Sequence, residues 1–315
     1  VVIPCYRTTA ALSDLIADLQ TSWPFEKYDL EVILIDDASP DSGSTASQLR
    51  LLSSTYDNVT SYSLKKNAGQ QKAVLRGIKL ATGEFIATTD DDYQHPIAEL
   101  PDMLDELVKA DIDLVIAALK TKQHDSVIRS IGTRMVGRFA AKAFKLKTPL
   151  KFSSFRVSRS AIAKAAAETN NPRPVVGYLL LSQTAQVNNY DIEHLARTHG
   201  ASNYSLKQLA AYRIDMVVFY SDLPQRWAGY IGISLFGLSV LQAAYFIFRY
   251  FVVATSVSGY TSVIVLITLL FGSFFIISSM LFKYIFSLFQ ILSSGPEIGV
   301  VRFETSTAVE SMDAM

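Results

Sequence analysis

The chain has 315 residues, half of them hydrophobic and only 18% charged, and its mean hydropathy of +0.23 excludes a disordered chain and is high for a purely soluble one. Basic and acidic residues balance at 29 each, which leaves no global positive field to hold nucleic acid. A single cysteine, Cys5, excludes a disulfide framework and a multi-cysteine zinc site.

The apolar run Val1-Val2-Ile3 ends at Pro4 and reads as a buried strand, with a few residues expected ahead of it. Glu31–Ile35 is a second strand that runs straight into Asp36-Asp37. Val59–Leu64, Glu84–Thr89 and Asp113–Ala118 are a third, fourth and fifth. Helical patterns separate them. The helix over Gln70–Ala81 is stopped by Gly83. In Ile97–Val108, the residues Ile97, Leu100, Leu104 and Leu107 recur at helical spacing, and Pro101 is tolerated in the first turn. This alternation predicts an α/β domain with right-handed crossovers and a mostly parallel sheet, whose ligands sit at the carboxyl ends of the strands.

Polar clusters fall at those ends: Pro4-Cys5-Tyr6-Arg7 after the first strand, Asp36-Asp37-Ala38-Ser39-Pro40-Asp41 after the second, and Asp90-Asp91-Asp92-Tyr93-Gln94 after the fourth. Three successive carboxylates repel one another, and a hard divalent cation, magnesium or manganese, would offset that repulsion. Strand alternation would send Asp90 and Asp92 to one side and Asp91 to the other. Asp90 and Asp92 are therefore the expected metal ligands, with the Gln94 amide oxygen as a third. Lys65–Lys72 leads from the third strand into a helix, and its amides and cations, Lys72 among them, suit a phosphate.

Beyond Trp227 the composition changes. Ala228–Phe248 is uncharged, Arg249 interrupts, and Tyr250–Phe282 is uncharged again. A membrane helix needs roughly 20 apolar residues, so two are expected, near 228–249 and 262–284. Arg213, Arg226, Lys283 and Arg302 flank the outer ends and only Arg249 flanks the connecting loop, which places the soluble part in the cytoplasm. The expected domains are a cytoplasmic unit over 1–225, a hairpin over 226–285 and a cytoplasmic tail over 286–315. Within the first, Arg134, Arg138, Lys142 and Lys145 form one basic stripe, so 129–147 is read as a helix resting on an anionic membrane surface.

Ile3-Pro4-Cys5-Tyr6, Asp36–Asp41, Asn67-Ala68-Gly69 with Gly77, and Asp90-Asp91-Asp92-Tyr93-Gln94-His95-Pro96 together resemble the family 2 glycosyltransferases of GT-A fold. With two membrane helices behind them, over about residues 1–285, they resemble the subgroup that glycosylates polyisoprenyl phosphates, which includes dolichyl-phosphate mannose synthases. The resemblance implies a Rossmann-like GT-A domain that moves a sugar, with inversion, from a nucleotide sugar to polyprenyl phosphate. UDP is the expected nucleotide and the cell's inner (plasma) membrane, crossed more than once, the expected location. It implies that Pro4, Tyr6, Asp37 and Ser39 line the base and ribose. Asp90 would lie near the ribose and metal, and Asp92 and Gln94 would hold the metal against the diphosphate. Arg129 and Arg134 would hold the acceptor phosphate, and Arg197, Ser202 and Lys207 would contact a diphosphate or lipid phosphate.

The chain departs from the family pattern in several places. Arg7-Thr8 replaces Asn-Glu, Ala38 stands where glycine is usual, and Ser154 stands where many relatives carry an aspartate taken for a catalytic base. A phosphate monoester has a second pKa of about 6 and attacks without deprotonation, so the serine fits a phosphate acceptor better than a hydroxyl. Two rivals remain at this point: transfer to a hydroxyl of a lipid-linked saccharide or glycolipid, and a non-catalytic nucleotide-binding membrane scaffold. The sequence leaves room for a homo-oligomer and points to no nucleic-acid partner.

Overall fold

The computed structural model describes residues 1–119, 141, 144, 146, 148–169, 174–192, 223–253, 259–292 and 299–303. They fall into two compact units, one built from 1–201 and 295–315, the other from 202–294. In chain order the first unit runs β1 (Val2–Cys5), α1 (Ala10–Ser22), β2 (Val32–Asp36), α2 (Ser44–Thr55), β3 (Val59–Leu64), α3 (Gln70–Leu80) and β4 (Phe85–Thr88). A 3-10 turn (Ile97–Glu99) leads into α4 (Leu100–Lys109), β5 (Leu114–Leu119), β6 (Arg156–Arg159), α5 (Ser160–Ala167), α6 (Val176–Gln183) and β7 (Val187–Ile192). A last strand, β8 (Val300–Arg302), follows the second unit in the chain.

The strands form one sheet in the order β7-β5-β6-β4-β1-β2-β3-β8. Pairing is parallel through β4-β1-β2-β3 and between β5 and β7, while β6 runs antiparallel to β4 and β5, and β8 antiparallel to β3. The five strands expected from sequence are present with ends shifted by a residue or two. Helices cover both faces, which explains why the parallel strands read as continuous apolar runs. Ile3, Cys5, Val32 and Leu34 point into a core closed by Leu12, Leu15, Ile16 and Leu19 of α1, by Leu49 and Leu52 of α2, and by Leu100, Met103, Leu104 and Leu107 of α4. The α1 and α4 sets repeat at helical spacing and are the apolar stripes of those helices. The alternate residues, Val2 and Ile35, face α3 at Gly77.

The sequence assigns no role to residues beyond 293, yet residues 299–303 belong to the sheet. Tyr62, Ser63 and Leu64 of β3 pair with Arg302, Val301 and Val300. Phe303 donates its amide to the Ser61 carbonyl (3.0 Å) and packs against the main core, with the Arg50 guanidinium 4.7 Å above its ring. The expected tail 286–315 is thus divided between a helix that continues to Leu292 and a strand of the first unit.

The second unit is a pair of helices, α7 (Leu223–Val253) and α8 (Gly259–Leu292). Arg226–Arg249 and Val263–Phe286 are long and apolar enough to cross a membrane, and little of either is buried. Large apolar side chains such as Phe248, Phe251, Leu270 and Phe274 are exposed around both helices, as lipid contact requires and as a soluble core helix does not allow. The helices meet at glycines. A Cβ on Gly272 would lie 2.7 Å from the Phe236 nitrogen, and one on Gly232 would lie 2.9 Å from the Ile276 nitrogen. This is small-residue packing of the kind used between membrane helices.

Candidate active site

The site grows from the carboxyl ends of four neighbouring strands, β4, β1, β2 and β3. The first three of the loops that leave them contain a residue with left-handed backbone: Arg7 (φ 51°), Ala38 (φ 52°) and Tyr93 (φ 53°). The fourth enters α3 through Gly69 (φ 88°), a conformation that favours glycine. Such backbone is costly for a residue with a Cβ and persists where surrounding contacts hold it.

Those contacts tie each loop to the next. The Asp37 amide donates to the Cys5 carbonyl (2.9 Å), and the Arg7 amide donates to Ser39 Oγ (2.9 Å). Asp36 Oδ1 accepts from the Ser39 amide (3.0 Å) and hydroxyl (2.7 Å), and its Oδ2 accepts from Ser63 Oγ (2.9 Å). The Asp37 carboxylate accepts from the amides of Ala68 (2.7 Å) and Gly69 (2.8 Å), while Asn67 Nδ2 donates to the Asp37 carbonyl (3.0 Å). Burial raises the Asp37 pKa, and the two amides oppose that rise. Asp37 therefore fixes the loop before α3, a role the motif reading did not give it. Pro4 is buried at the end of β1, Tyr6 is exposed at the rim with the Arg7 guanidinium over its ring (5.6 Å), and Lys72 lies half-buried in the first turn of α3.

The acidic tip continues the rim from β4. The strand ends at Thr88, so a turn, rather than strand alternation, separates the three carboxylates. Asp91 turns inward and accepts from the Tyr6 amide; burial, with help from Asp90 and Asp92, pushes its pKa up to about 7. The Cys5 thiol beside it is raised by burial and then by Asp91 and Asp36. The side chains of Asp92 and Gln94 touch through a short contact from Gln94 Nε2 to Asp92 Oδ2, and the Gln94 amide donates to Asp92 Oδ1 (3.2 Å). Tyr93 anchors the tip to α1 through Asp18 (2.8 Å).

Asp90 is gripped from two other elements. Gln70 Nε2, at the start of α3, donates to Oδ1 (2.6 Å), and Ser154 Oγ, just before β6, donates to Oδ2 (2.5 Å). His95 Nε2 lies 3.2 Å from the same serine oxygen, and its buried ring stacks on Phe155 at 5.3 Å. The Ser154 carbonyl accepts from Thr88 Oγ1 (2.7 Å) and from Nε of the buried Arg156 (3.3 Å). Motif spacing does not single out Gln70, His95 or Arg156, because Gln70 meets Asp90, His95 meets Ser154 and Arg156 meets Thr88 across 20 or more positions of chain.

As a donor set the tip fits a hard divalent cation. The Asp90 and Asp92 carboxylates and the Gln94 amide oxygen are hard oxygen donors, Gln94 touches Asp92 through its amide nitrogen, and mutual repulsion among the three carboxylates contributes to the raised Asp91. Among the described residues no group of three or more His, Cys, Asp and Glu side chains converges as a complete cage. A cation here would complete its shell with phosphate oxygens and water, as magnesium commonly does. Arg129, Arg134, Arg197, Ser202 and Lys207 lie outside the described residues, as does most of the 129–147 stretch.

A family model described as glycosyl transferase family 2 matches residues 1–165, which include β1 to β6 and the whole rim. The undecaprenyl-phosphate 4-deoxy-4-formamido-L-arabinose transferase of Pseudomonas fluorescens (strain Pf0-1) is 26% identical over 79% of this chain and 72% of its own. The putative glycosyltransferase CsbB of Bacillus subtilis (strain 168) is 28% identical over 97% of this chain and 88% of its own. Among solved structures, S. aureus TarS 1-349 in complex with UDP-GlcNAc superposes with a TM-score of 0.46 at 19% identity, over 70% of this chain and 66% of that one.

Proposed function

The chain belongs to glycosyl transferase family 2, and from that membership we propose that it transfers one sugar from a nucleoside-diphosphate sugar to polyprenyl phosphate at the cytoplasmic face of the plasma membrane. The observation that carries this reading is the interlocked rim at four strand ends, which joins an acidic tip to a helix start in the manner a nucleotide diphosphate requires. Tyr6 offers a ring face to the base, with Pro4, Asp37 and Ser39 forming the wall beside it. Lys72 and the first turn of α3 meet the phosphates. Asp90, Asp92 and Gln94 hold a magnesium or manganese ion. When bound, such an ion supplies Lewis-acid neutralisation of the diphosphate as it leaves the anomeric carbon.

The acceptor follows from Ser154. The hydroxyl is committed as a donor to Asp90 and is not a base. An acceptor already ionised at neutral pH, with a second pKa of about 6, needs none. The likeness to an undecaprenyl-phosphate 4-deoxy-4-formamido-L-arabinose transferase of Pseudomonas supports the same acceptor class. The long apolar spans of α7 and α8, with large hydrophobic side chains exposed along them, support a membrane hairpin. UDP as the nucleotide, the roles of Arg129, Arg134, Arg197, Ser202 and Lys207, the interfacial helix over 129–147 and a homo-oligomeric state belong to the same proposal.

Membranes containing the chain, supplied with undecaprenyl phosphate and a panel of radiolabelled nucleotide sugars, test it. One donor should give a lipid product that releases its sugar in mild acid. An acid-stable product would shift the acceptor to a hydroxyl, and no product with any donor would refute the transferase reading.

A further inference from the structure

We propose that Ser154 and Gln70 are positioning residues for Asp90, and that His95 acts on the same carboxylate through the Ser154 hydroxyl. The inference rests on reading the Asp90–Gln94 tip as part of the nucleotide-sugar site. It concerns how this chain holds the first carboxylate of that tip.

The hydrogen-bond directions follow from the chemistry of the groups. As a carboxylate, Asp90 only accepts. Gln70 Nε2 donates to one oxygen at 2.6 Å, and Ser154 Oγ donates its single proton to the other at 2.5 Å. The Ser154 oxygen is then left with lone pairs, so His95 Nε2, 3.2 Å away, carries the hydrogen that points at it. His95 Nε2 is 4.0 Å from Asp90 Oδ2, too far for a direct hydrogen bond, so the imidazole reaches the carboxylate by way of the hydroxyl. The result is a one-way chain: imidazole N–H to hydroxyl O–H to carboxylate.

Each donor is itself fixed. The His95 ring stacks against fully buried Phe155 at an interplanar angle of 20°. The Ser154 carbonyl is held by Thr88 and Arg156, so the residue is pinned at its backbone and at its side chain. Gln70 begins α3 directly after Gly69, whose amide is fixed by Asp37. Each Asp90 oxygen keeps a further lone pair for a ribose hydroxyl or a cation. A carboxylate at position 154 would set a second negative charge against Asp90. The serine replaces that repulsion with a donor.

Groups that orient a metal-binding or substrate-binding carboxylate typically alter metal affinity or activity by about 10–100-fold when removed. The test uses the full chain in detergent, with UDP and Mn2+ as the probe in calorimetric titration, alongside turnover in membranes. Ser154→Ala should weaken UDP binding in the presence of Mn2+ by about tenfold, while its melting temperature in chelator stays close to that of the parent. Ser154→Thr, which keeps the hydroxyl, should remain within about threefold of the parent, and Gln70→Ala should show the same kind of loss as Ser154→Ala at smaller size. Unchanged UDP–Mn2+ binding in Ser154→Ala, or equal losses in the Ala and Thr variants, would overturn the proposal. Binding that responds as expected in a chain with no transfer to polyprenyl phosphate would keep the positioning role and remove the acceptor assignment. Transfer that is indifferent to Ser154→Ala would do the reverse.

Discussion

Gly77 gives the sharpest test of how the rim is held. It sits in α3, and a Cβ built there would lie 2.3 Å from Val2 Cγ1 and 3.2 Å from Ile35 Cγ1. Ordinary carbon–carbon contact begins near 3.5 Å, so α3 must move away from the sheet by about 1 Å or Val2 must leave its rotamer. Val2 is β-branched and fully buried in the sheet, and it has nowhere to go. Overpacking of this kind costs about 1–3 kcal/mol, against a helix-propensity gain from Gly to Ala of up to about 1 kcal/mol. Gly77→Ala should therefore be destabilised by about 1–2 kcal/mol, read as a melting temperature lower by about 2–8 °C for a unit of this size. The same shift would stretch the Gln70–Asp90 bond, now 2.6 Å, and weaken nucleotide binding. Propensity alone predicts the opposite sign. A Gly77→Ala chain as stable as the parent, or more so, would refute the close approach of α3 to β1.

Four further outcomes follow from other parts of the molecule. Ala38→Gly should raise stability by up to about 1 kcal/mol in denaturant titration, because Ala38 holds a left-handed backbone (φ 52°) that glycine adopts freely; no gain would mean that the turn is not strained. Asp91, raised to about 7 from its ordinary 3.8, binds its proton more tightly folded than unfolded, so its contribution is fully present below about pH 4 and is lost as pH rises through 7. In chelator, Asp91→Asn should therefore gain melting temperature over the parent at pH 8 and much less at pH 5, and parallel curves would contradict the burial argument. Gly272→Ile should separate α7 from α8 and lower the aggregation temperature in detergent, while Gly237→Ala, where a Cβ meets nothing within 4 Å, should leave it unchanged; equal effects would contradict the glycine seam. Phe303→Ala should cost about 1–2 kcal/mol by thermal melting, through lost packing and loss of the Arg50 contact, and no change would deny β8 a part in the core.

The parallel half of the fold was legible because buried parallel strands are apolar throughout and their ends are marked by acidic or glycine-rich turns, as at Ile35-Asp36-Asp37 and Lys66-Asn67-Ala68-Gly69. β6, β7 and β8 lacked that signature. Arg156–Arg159 reads RVSR, with polar residues that face Thr88 and the Ile86 carbonyl inside the sheet, so no hydropathy pattern distinguishes it from a loop. Val187–Ile192 and Val300–Arg302 are edge strands, partly exposed, and an edge position is a property of tertiary order. At the candidate site, motif spacing marks the strand-end residues expected to meet a ligand, but not the residues that hold them. Asp90 was visible as one of three carboxylates; Gln70, Ser154 and His95 become its partners only when α3, β4 and β6 are brought together.

The last strand connects sheet topology to membrane topology. β3 would otherwise be the outer edge of the sheet, with a row of unpaired backbone groups available to another chain. β8 occupies that edge, extended by a hydrogen bond from the Lys65 amide to the Gly299 carbonyl. β3 precedes the α7–α8 hairpin in sequence and β8 follows it, yet both belong to one sheet. If the two apolar helices cross a bilayer, a polypeptide that leaves this unit and returns to it must cross an even number of times, and two helices long and apolar enough to do so lie between β3 and β8. The strand also pairs with β3 immediately before the Lys65–Gly69 loop that Asp37 secures. Covering the edge and stiffening the approach to the candidate site are thus one structural act, carried out by a segment whose own composition gives no hint of it.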